Sequence, residues 1–408
     1  MFLAFLMKRG VANLPVIESK DLEKKSALAA TKTDFNQEHK KTIYHEYYNI
    51  DSLSKSSYTS DSNILTVSGD DVPSILRINR EIESKFLPKK KSTFPLSRSY
   101  QRIGEDKRAL RVLECGTFLE FARELSSEKC TLQNANFCRD RLCPMCSWRR
   151  SYKIFGQVSK IMDHIENDFE FIFLTLTVPN VSGSELSSKI DQMQKAFRQM
   201  MQFDKRIRKV SAGYFKALEV THNKNRHSKS FNTFHPHFHV ILAVDKGYLK
   251  SDFYLKRSDF LDIWRRVMHD DSITQVDVRL CKNKSSSECQ EAERSLSSAV
   301  AEVAKYSVKS NDYIIPWSEE LTDTSVRTYL SALTSRRLCS FGGIFDQVRK
   351  ALAFDDCEDG DLVHVEADKI RADVALQIYR YAWSSGVYKL IAVDRKVNPV
   401  IDAAEDDY

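Results

Sequence analysis

The sequence predicts an α+β fold in which helices pack on a central antiparallel sheet. Residues 169–178 form a short apolar run of β-forming residues, which is typical of a strand buried on both faces. Two further strands are predicted at 213–222 and 235–244, and the loop between them favours antiparallel pairing. Helical spacing over 186–206 and 253–269 supplies elements that can cover the sheet.

The sheet is preceded by a predicted arm at 1–98. Residues 10–95 are rich in Ser, Lys, Asp, Asn and Thr, and their weak hydrophobic periodicity is typical of a poorly ordered segment. Structured sequence is therefore expected to begin near Tyr100. Further along the chain, 273–280 predicts another strand and 291–309 predicts a helix.

Length and motif positions divide the 408 residues into four predicted regions. They are the poorly ordered N-terminal arm at 1–98, a zinc-binding and DNA-contacting subdomain at 99–160, a catalytic domain at 161–315, and a C-terminal region at 316–408 that ends in an acidic tail.

Charge, hydropathy and cysteine content limit the classes of protein to which this chain can belong. The 62 Lys and Arg residues against 56 Asp and Glu give a net charge of only +6, which permits nucleic-acid binding without arguing for it. The apolar segment at 1–7 is too short for a signal-peptide core, and nothing else approaches a membrane span. We therefore expect a cytoplasmic protein that does not contact membranes. Its nine cysteines are expected to be thiols or metal ligands.

Three alternating histidines mark the strand at 235–244. Because side chains alternate between the two faces of a strand, His235, His237 and His239 share one face. Pro236 cannot donate to a sheet, so the metal-binding pair is expected to be His237 and His239. Glu219 on the neighbouring strand is the expected third ligand, and two histidines with a carboxylate suit a catalytic divalent ion. The alternative is a structural or surface histidine cluster.

A carboxylate, a phenol and a lysine share one face of the predicted helix at 291–309. Glu302 and Tyr306 are four residues apart, and Lys309 follows three residues later. A nearby cation favours the phenolate form of a tyrosine, which makes Tyr306 a candidate nucleophile. Tyr313 is a weaker candidate, and an amphipathic helix with a salt bridge is the alternative.

Cysteines cluster just before the sheet. Cys138, Cys143 and Cys146 have the C-x4-C-x2-C spacing that is typical of structural zinc sites. The fourth ligand is either Cys115, which a following glycine slightly favours, or Cys130. Three ordinary buried thiols are the alternative.

A tryptophan and two arginines follow the last of these cysteines. Trp148, Arg149 and Arg150 place an aromatic ring and two cations beside the predicted zinc site. Stacked bases and backbone phosphates of DNA are the expected partners of such a group.

Taken together, these motifs resemble those of the rolling-circle replication initiators of small bacterial plasmids, the Rep_1 type within the HUH endonucleases. The resemblance covers about 110–350 and rests on motifs at 115–116, 137–150, 173–178, 218–221, 235–240, 302–306 and 337–343.

The resemblance implies an HUH-type sheet and an enzyme that nicks DNA at a plasmid's double-strand origin. Tyr306 would attack the DNA, leaving a 5′-phosphotyrosyl bond and a free 3′-OH primer, and Glu302 would activate water for termination. His237, His239 and Glu219 would hold Mg²⁺ or Mn²⁺, and Lys309 would assist the tyrosine. A host helicase and a DNA polymerase are the implied partners. Origin recognition could come from 316–408.

Other protein classes share part of this pattern. A histidine-triad nucleotide hydrolase matches 235–241 but leaves the cysteines and Tyr306 without a role. A zinc-dependent DNA-binding regulator without nuclease activity would use 138–150 and leave the histidines unexplained. Relaxases and related transposases share the chemistry, but relaxases usually carry their tyrosine before the histidines.

Overall fold

The computed structural model describes the chain from Ser68 onward with several gaps. It covers residues 68–125, 130–281, 300, 309–365 and 376–396, together with the backbone of 58–60 and 63–65. Glu302 and Tyr306 therefore lie outside the described residues, as do 1–57 and the acidic tail. The chain divides into two compact units, Met1–Val72 and Pro73–Tyr408.

The described strands and helices follow one another as listed here. The strands are β1 Tyr58–Ser60, β2 Asn63–Leu65, β3 Phe118–Glu124, β4 Cys130–Ala135, β5 Phe169–Thr177, β6 Ser211–His222, β7 Phe234–Asp245, β8 Val276–Cys281, β9 Cys339–Gly343, β10 Leu376–Ser384 and β11 Val387–Lys396. The α-helices are α1 Val72–Glu81, α2 Leu87–Lys91, α3 Thr93–Arg102, α4 Asp106–Glu114, α5 Pro144–Ile165, α6 Leu186–Phe203, α7 Lys205–Val210, α8 Arg257–Met268, α9 Ser310–Tyr313, α10 Glu319–Leu333 and α11 Ile344–Ala351.

A five-stranded sheet forms the centre of the larger unit. Its strand order is β8-β5-β7-β6-β9, and every neighbouring pair is antiparallel. The predicted strand at 169–178 is β5, which lies between two partners, and the two strands joined by the loop at 223–233 pair directly as β6 and β7. The α+β class and the antiparallel pairing of this hairpin are thus confirmed.

Helices cover both faces of this sheet. On one face, Phe238 of β7 packs against Phe197 of α6 and Trp264 of α8, with ring centroids 5.7 and 6.4 Å apart. On the other face, Phe345 of α11 packs against Phe171 of β5 at 6.2 Å. The alternation of side chains along each strand therefore places apolar residues in two separate layers.

A second antiparallel sheet joins distant parts of the chain. Its order is β11-β10-β3-β4, so strands after residue 376 pair with a strand before residue 125. In the same way β9 pairs with β6 of the first sheet. The predicted boundaries at 160 and 315 therefore do not separate folding units, because sheet pairing crosses both of them.

The predicted arm is too long at its C-terminal end. The segment from Val72 to Arg102 is mostly helical, and Ile78, Phe86 and Tyr100 are fully buried. Apolar residues recur there every three or four positions, a helical period that the polar composition obscured. Ordered structure in the larger unit therefore begins well before Tyr100, the predicted start.

The helix predicted over 186–206 is interrupted. Asp204 adopts an extended backbone, and its side chain accepts hydrogen bonds from the backbone nitrogens of Arg206 and Ile207. This is an N-cap, so α6 ends at Phe203 and α7 begins as a separate helix. Among the described residues, no helix is both long enough and apolar enough to cross a membrane.

Replacement of glycine by alanine is expected to have opposite effects on stability at two positions. At Gly343 the backbone φ is +59°, and an added Cβ would lie 2.3 Å from the Ala212 carbonyl oxygen. At Gly156, inside α5, the nearest atom would lie 3.8 Å away. We expect Gly343→Ala to lower the free energy of unfolding by about 1–3 kcal/mol and Gly156→Ala to raise it by about 0.5–1 kcal/mol. Urea denaturation measures both free energies of unfolding. Equal changes from the two substitutions would contradict the close packing around Gly343 in β9.

Candidate functional site

The antiparallel pairing of β6 and β7 brings the predicted metal ligands together. Glu219 lies directly opposite His237 in the register, and His239 follows two residues later on the same face. The three ligand atoms lie within 4.8 Å of one another. All three residues are buried, with Glu219 and His239 only 4% exposed. We call this group the His–Glu cluster.

One carboxylate oxygen is the centre of the His–Glu cluster. Glu219 Oε2 lies 2.8 Å from His239 Nε2 and 3.3 Å from His237 Nε2. The other ring nitrogen of His237 lies 3.1 Å from the His235 carbonyl oxygen, which can only accept a hydrogen bond. In a neutral His237 the Nε2 lone pair therefore faces the carboxylate, so that two acceptors point at each other. A cation between them satisfies both, and this arrangement fits a divalent metal.

Thr175 is a residue of this site that sequence analysis did not identify. It lies opposite His239 on β5, and its hydroxyl oxygen is 3.3 Å from His239 Nδ1. A partner on the second ring nitrogen fixes the orientation of an imidazole, as is usual for metal-binding histidines. The threonine at 175 has no spacing signal of its own, so only the register of β5 against β7 reveals its role.

Lys309 contacts the His–Glu cluster from the segment that precedes α9. Its ammonium donates to Glu219 Oε1 at 2.8 Å, with half of the side chain exposed. Burial alone would raise the pKa of Glu219, but its contacts with His237, His239 and Lys309 outweigh burial and hold that pKa well below its usual range. Glu219 is thus an anion beside two imidazoles and an ammonium.

The helical prediction is wrong at Lys309. Its backbone is extended, with φ −95° and ψ 147°, and the residue caps the short helix α9. Tyr313, the weaker nucleophile candidate, is fully buried and donates to the Leu142 carbonyl oxygen at 2.5 Å. Burial raises the pKa of Tyr313 far above its ordinary value. Its hydroxyl is therefore part of the core and is not placed for attack on DNA.

His235 does not join the three ligands. It lies opposite Thr221 on the same face of the sheet, and burial together with the neighbouring His237 lowers its pKa to about 4. His235 is therefore neutral at physiological pH. This placement agrees with the expectation that His237 and His239 form the metal-binding pair.

Four cysteines form a second cluster. The sulfur atoms of Cys115, Cys138, Cys143 and Cys146 lie within 4.8 Å of one another, and this set is the four-cysteine cluster. Cys130, the alternative fourth ligand, lies on β4 and does not belong to the group. Burial alone would raise the pKa of Cys146, but hydrogen bonds from the neighbouring thiols outweigh it and lower that pKa. Four cysteine sulfurs gathered in this way fit a structural metal.

Backbone and a buried lysine support the four-cysteine cluster. The Arg139 backbone nitrogen donates to the Cys146 sulfur at 3.2 Å. Lys90 is fully buried, and its ammonium donates to the carbonyl oxygens of Leu113 and Cys115 at 2.5 and 2.9 Å. A buried ammonium at this position would offset part of the negative charge that the sulfurs carry as thiolate ligands of a metal. Lys90 lies in a run of three lysines that sequence analysis assigned to the N-terminal arm.

The predicted DNA contacts after the cysteines are wrong. Arg149 and Arg150 are 4% and 2% exposed and donate to backbone carbonyls, including those of Leu362 and Glu358. Trp148 packs edge-on against Phe86 at 4.9 Å. Arg149 and Arg150 contact the segment after α11, and Trp148 contacts the segment between α1 and α2. Sequence spacing alone does not reveal such contacts.

The arginine pair at 336 and 337 also has internal partners. Arg336 forms an ion pair with Asp191 at 2.6 Å, and Arg337 forms one with Asp356 at 2.7 Å. The second pair leaves 61% of the Arg337 side chain exposed. Arg336 thus ties the start of β9 to α6.

The role of Arg150 in stability leads to a prediction. Its guanidinium donates to the carbonyl oxygens of Glu358, Asp140 and Arg139 at 2.9, 3.1 and 2.6 Å. Arg150→Met leaves these acceptors without a donor, so we expect the free energy of unfolding to fall by about 3 kcal/mol in urea denaturation. Replacing the exposed Arg208 by methionine is the control. A chain with Arg150→Met that keeps its stability but binds DNA more weakly would contradict this assignment.

Comparison with known proteins identifies the family to which the chain belongs. Residues 129–389 match the model of the Rep_1 family, described as replication protein. A relative called Protein rep from Bacillus amyloliquefaciens is 36% identical over 71% of this chain and 87% of its own length. Another Protein rep, from Staphylococcus aureus, is 38% identical over 54% of this chain and 90% of its own length. No solved structure matches. The chain belongs to the Rep_1 family of replication proteins.

Proposed function

We propose that this protein is a plasmid rolling-circle replication initiator that nicks one DNA strand at the double-strand origin. The observation that carries the proposal is the convergence of Glu219, His237, His239 and Lys309 on one point. These residues form an anionic, nitrogen-rich site with a cation beside it, in a chain of a replication-protein family.

The proposed nucleophile is Tyr306. Lys309 follows Tyr306 by three residues, and three residues of chain span at most about 11 Å. With the Lys309 ammonium at Glu219, the Tyr306 phenol would therefore lie near a DNA phosphate bound at the same site. The positive charge of Lys309 favours a phenolate over a phenol. Glu219 in turn holds that ammonium in place through the 2.8 Å hydrogen bond.

In the nicking step the Tyr306 oxygen forms a bond to the phosphorus of the scissile phosphate. The bond from phosphorus to the 3′ oxygen breaks, the phenol proton passes to solvent, and the leaving oxygen takes a proton to become a 3′-OH primer. His237, His239 and Glu219 would hold Mg²⁺ or Mn²⁺, which when bound neutralises phosphate charge during an in-line displacement. The 5′ end stays attached to the protein.

Termination requires a second displacement. We assign Glu302 as the base that accepts a proton from water, so that the water oxygen forms a bond to phosphorus while the bond from phosphorus to the tyrosine oxygen breaks. The released phenolate takes a proton from solvent. A water in place of a second tyrosine would limit the protein to one productive round. A host helicase and a DNA polymerase would then separate and copy the strands, in the cytoplasm where plasmid DNA lies.

The test of this mechanism uses supercoiled DNA cloned from around the gene. The full chain is incubated with Mg²⁺ or Mn²⁺, quenched in detergent and examined for nicked circles that carry protein. We expect Tyr306→Phe to lower adduct formation by roughly 10³-fold or more, because the attacking oxygen is missing. Glu219→Gln and EDTA should also abolish the adduct.

A matched tyrosine controls this experiment. Tyr254 is 44% exposed and follows the end of β7 that is remote from His237, so Tyr254→Phe should nick normally. Nicked circles without attached protein would show that water attacks instead of Tyr306. Salt-sensitive binding without any nick, in both metals, would favour the DNA-binding regulator.

We propose further that the four-cysteine cluster holds a structural Zn²⁺. Four thiolates leave no open coordination position, so the metal organises the loop and takes no part in the chemistry. The chain purified from cells should contain about one zinc per molecule. Cys115→Ser should lose the zinc and melt at a lower temperature, whereas Cys130→Ser should keep it. Elemental analysis decides, and zinc retained in both chains would contradict the assignment.

A further inference from the structure

An exposed tryptophan lies against the loop that joins β6 to β7. Trp317 is 45% exposed although two side chains contact it. The guanidinium carbon of Arg226 lies 3.4 Å from the centre of the indole ring. The ring of Phe231 lies 6.3 Å away with its plane inclined by 27°. Aromatic rings beside an arginine are the groups on which unpaired bases stack.

This aromatic group adjoins the elements of the His–Glu cluster. His222, the end of β6, lies only three positions beyond Glu219, a distance of about 10 Å along a strand. The loop is tied to the segment after Lys309, because His222 Nδ1 lies 3.1 Å from the Asp312 carbonyl oxygen. Lys224 also donates to the Asn311 carbonyl oxygen. A DNA strand bound at the His–Glu cluster can therefore extend along the hairpin of β6 and β7 towards Trp317.

The charge of the loop suits a polyanion. Residues 223–233 contain Lys224, Arg226, His227 and Lys229 but no aspartate or glutamate. Arg226 and Lys229 are exposed. Of the acidic residues near Trp317 in the sequence, Asp312 accepts from the Lys309 backbone nitrogen and Glu319 pairs with Arg102. The loop thus presents cations around an aromatic ring that is 45% exposed.

We propose that Trp317, with Arg226 and Phe231, forms a stacking site for a base of single-stranded DNA next to the nick site. Exposed cations of the loop would contact the neighbouring phosphates. The assignment of the strand as origin DNA rests on the proposed function, whereas base stacking itself requires no cleavage. The site has no sequence preference of its own, because every base offers a stacking face.

The chain provides a matched control at the opposite end of β7. Phe253 is 48% exposed, and the ammonium of Lys209 lies 3.4 Å from the centre of its ring. This pair has the same chemistry as Trp317 and Arg226, but it follows the end of β7 that is remote from His237. If exposed aromatic rings bound DNA non-specifically, Phe253 and Trp317 would contribute equally to the affinity for DNA.

The experiment measures binding of the full chain to two labelled probes in EDTA, by fluorescence anisotropy. One probe is oligothymidylate of about 20 nucleotides, and the other is an abasic strand of the same length. We expect Trp317→Ala to weaken oligothymidylate binding about 5-fold or more without changing abasic binding. Trp317→Phe should keep most of the affinity, and Phe253→Ala should behave as wild type.

Several outcomes would overturn the stacking site. One is that Trp317→Ala loses the same affinity for both probes. Another is that Phe253→Ala loses as much affinity as Trp317→Ala. The third is that the wild-type chain binds the abasic strand as tightly as oligothymidylate. A chain that nicks DNA but binds oligothymidylate independently of Trp317 refutes only the stacking site. Trp317-dependent binding without nicking refutes only the proposed nuclease.

A second measurement does not depend on the folding of a variant. Wild-type chain is photo-crosslinked to an iododeoxyuridine strand, and the attached peptide is identified by mass spectrometry. Attachment at Trp317 or Phe231 supports the stacking site. Attachment confined to other residues overturns it, whatever the stability of the alanine chain.

Discussion

The register between β6 and β7 is the constraint on which both the core and the site depend. Because successive side chains point to opposite faces, the pairing of Glu219 with His237 also directs Leu218 and Phe238 towards the helices. A slip of one residue would exchange the two faces, placing a carboxylate among apolar side chains. The burial of Leu218 and Phe238 therefore helps to fix the position of the His–Glu cluster.

The negative charge of Glu219 binds separate parts of the chain to one another. Burying a carboxylate is costly unless donors surround it, and here they come from β7 and from the segment before α9. Removing one donor leaves the remaining charge less compensated, so each partner matters beyond its single hydrogen bond. A site of this kind is preorganised for a cation, because the protein has already gathered the ligands that a divalent ion requires.

Sequence alone could predict those parts of the site whose residues follow a local period or spacing. The alternation at 235–239 and the spacing of Cys138, Cys143 and Cys146 are of this kind, and the strands of the hairpin follow from their apolar runs. Arg150 could not be predicted, since its acceptor at Glu358 lies 208 residues away. Trp317 has no periodic neighbour either, and its role follows only from the loop that folds against it.

A buried hydrogen bond links the neighbourhoods of the four-cysteine cluster and the His–Glu cluster. Leu142 lies between two of the cysteines, and its carbonyl oxygen accepts from Tyr313. Tyr313 ends α9, the helix that Lys309 caps. The loop that contains these cysteines thereby anchors the short helix whose N-cap residue, Lys309, reaches Glu219. The cysteines can in this way influence the position of the Lys309 ammonium at the His–Glu cluster.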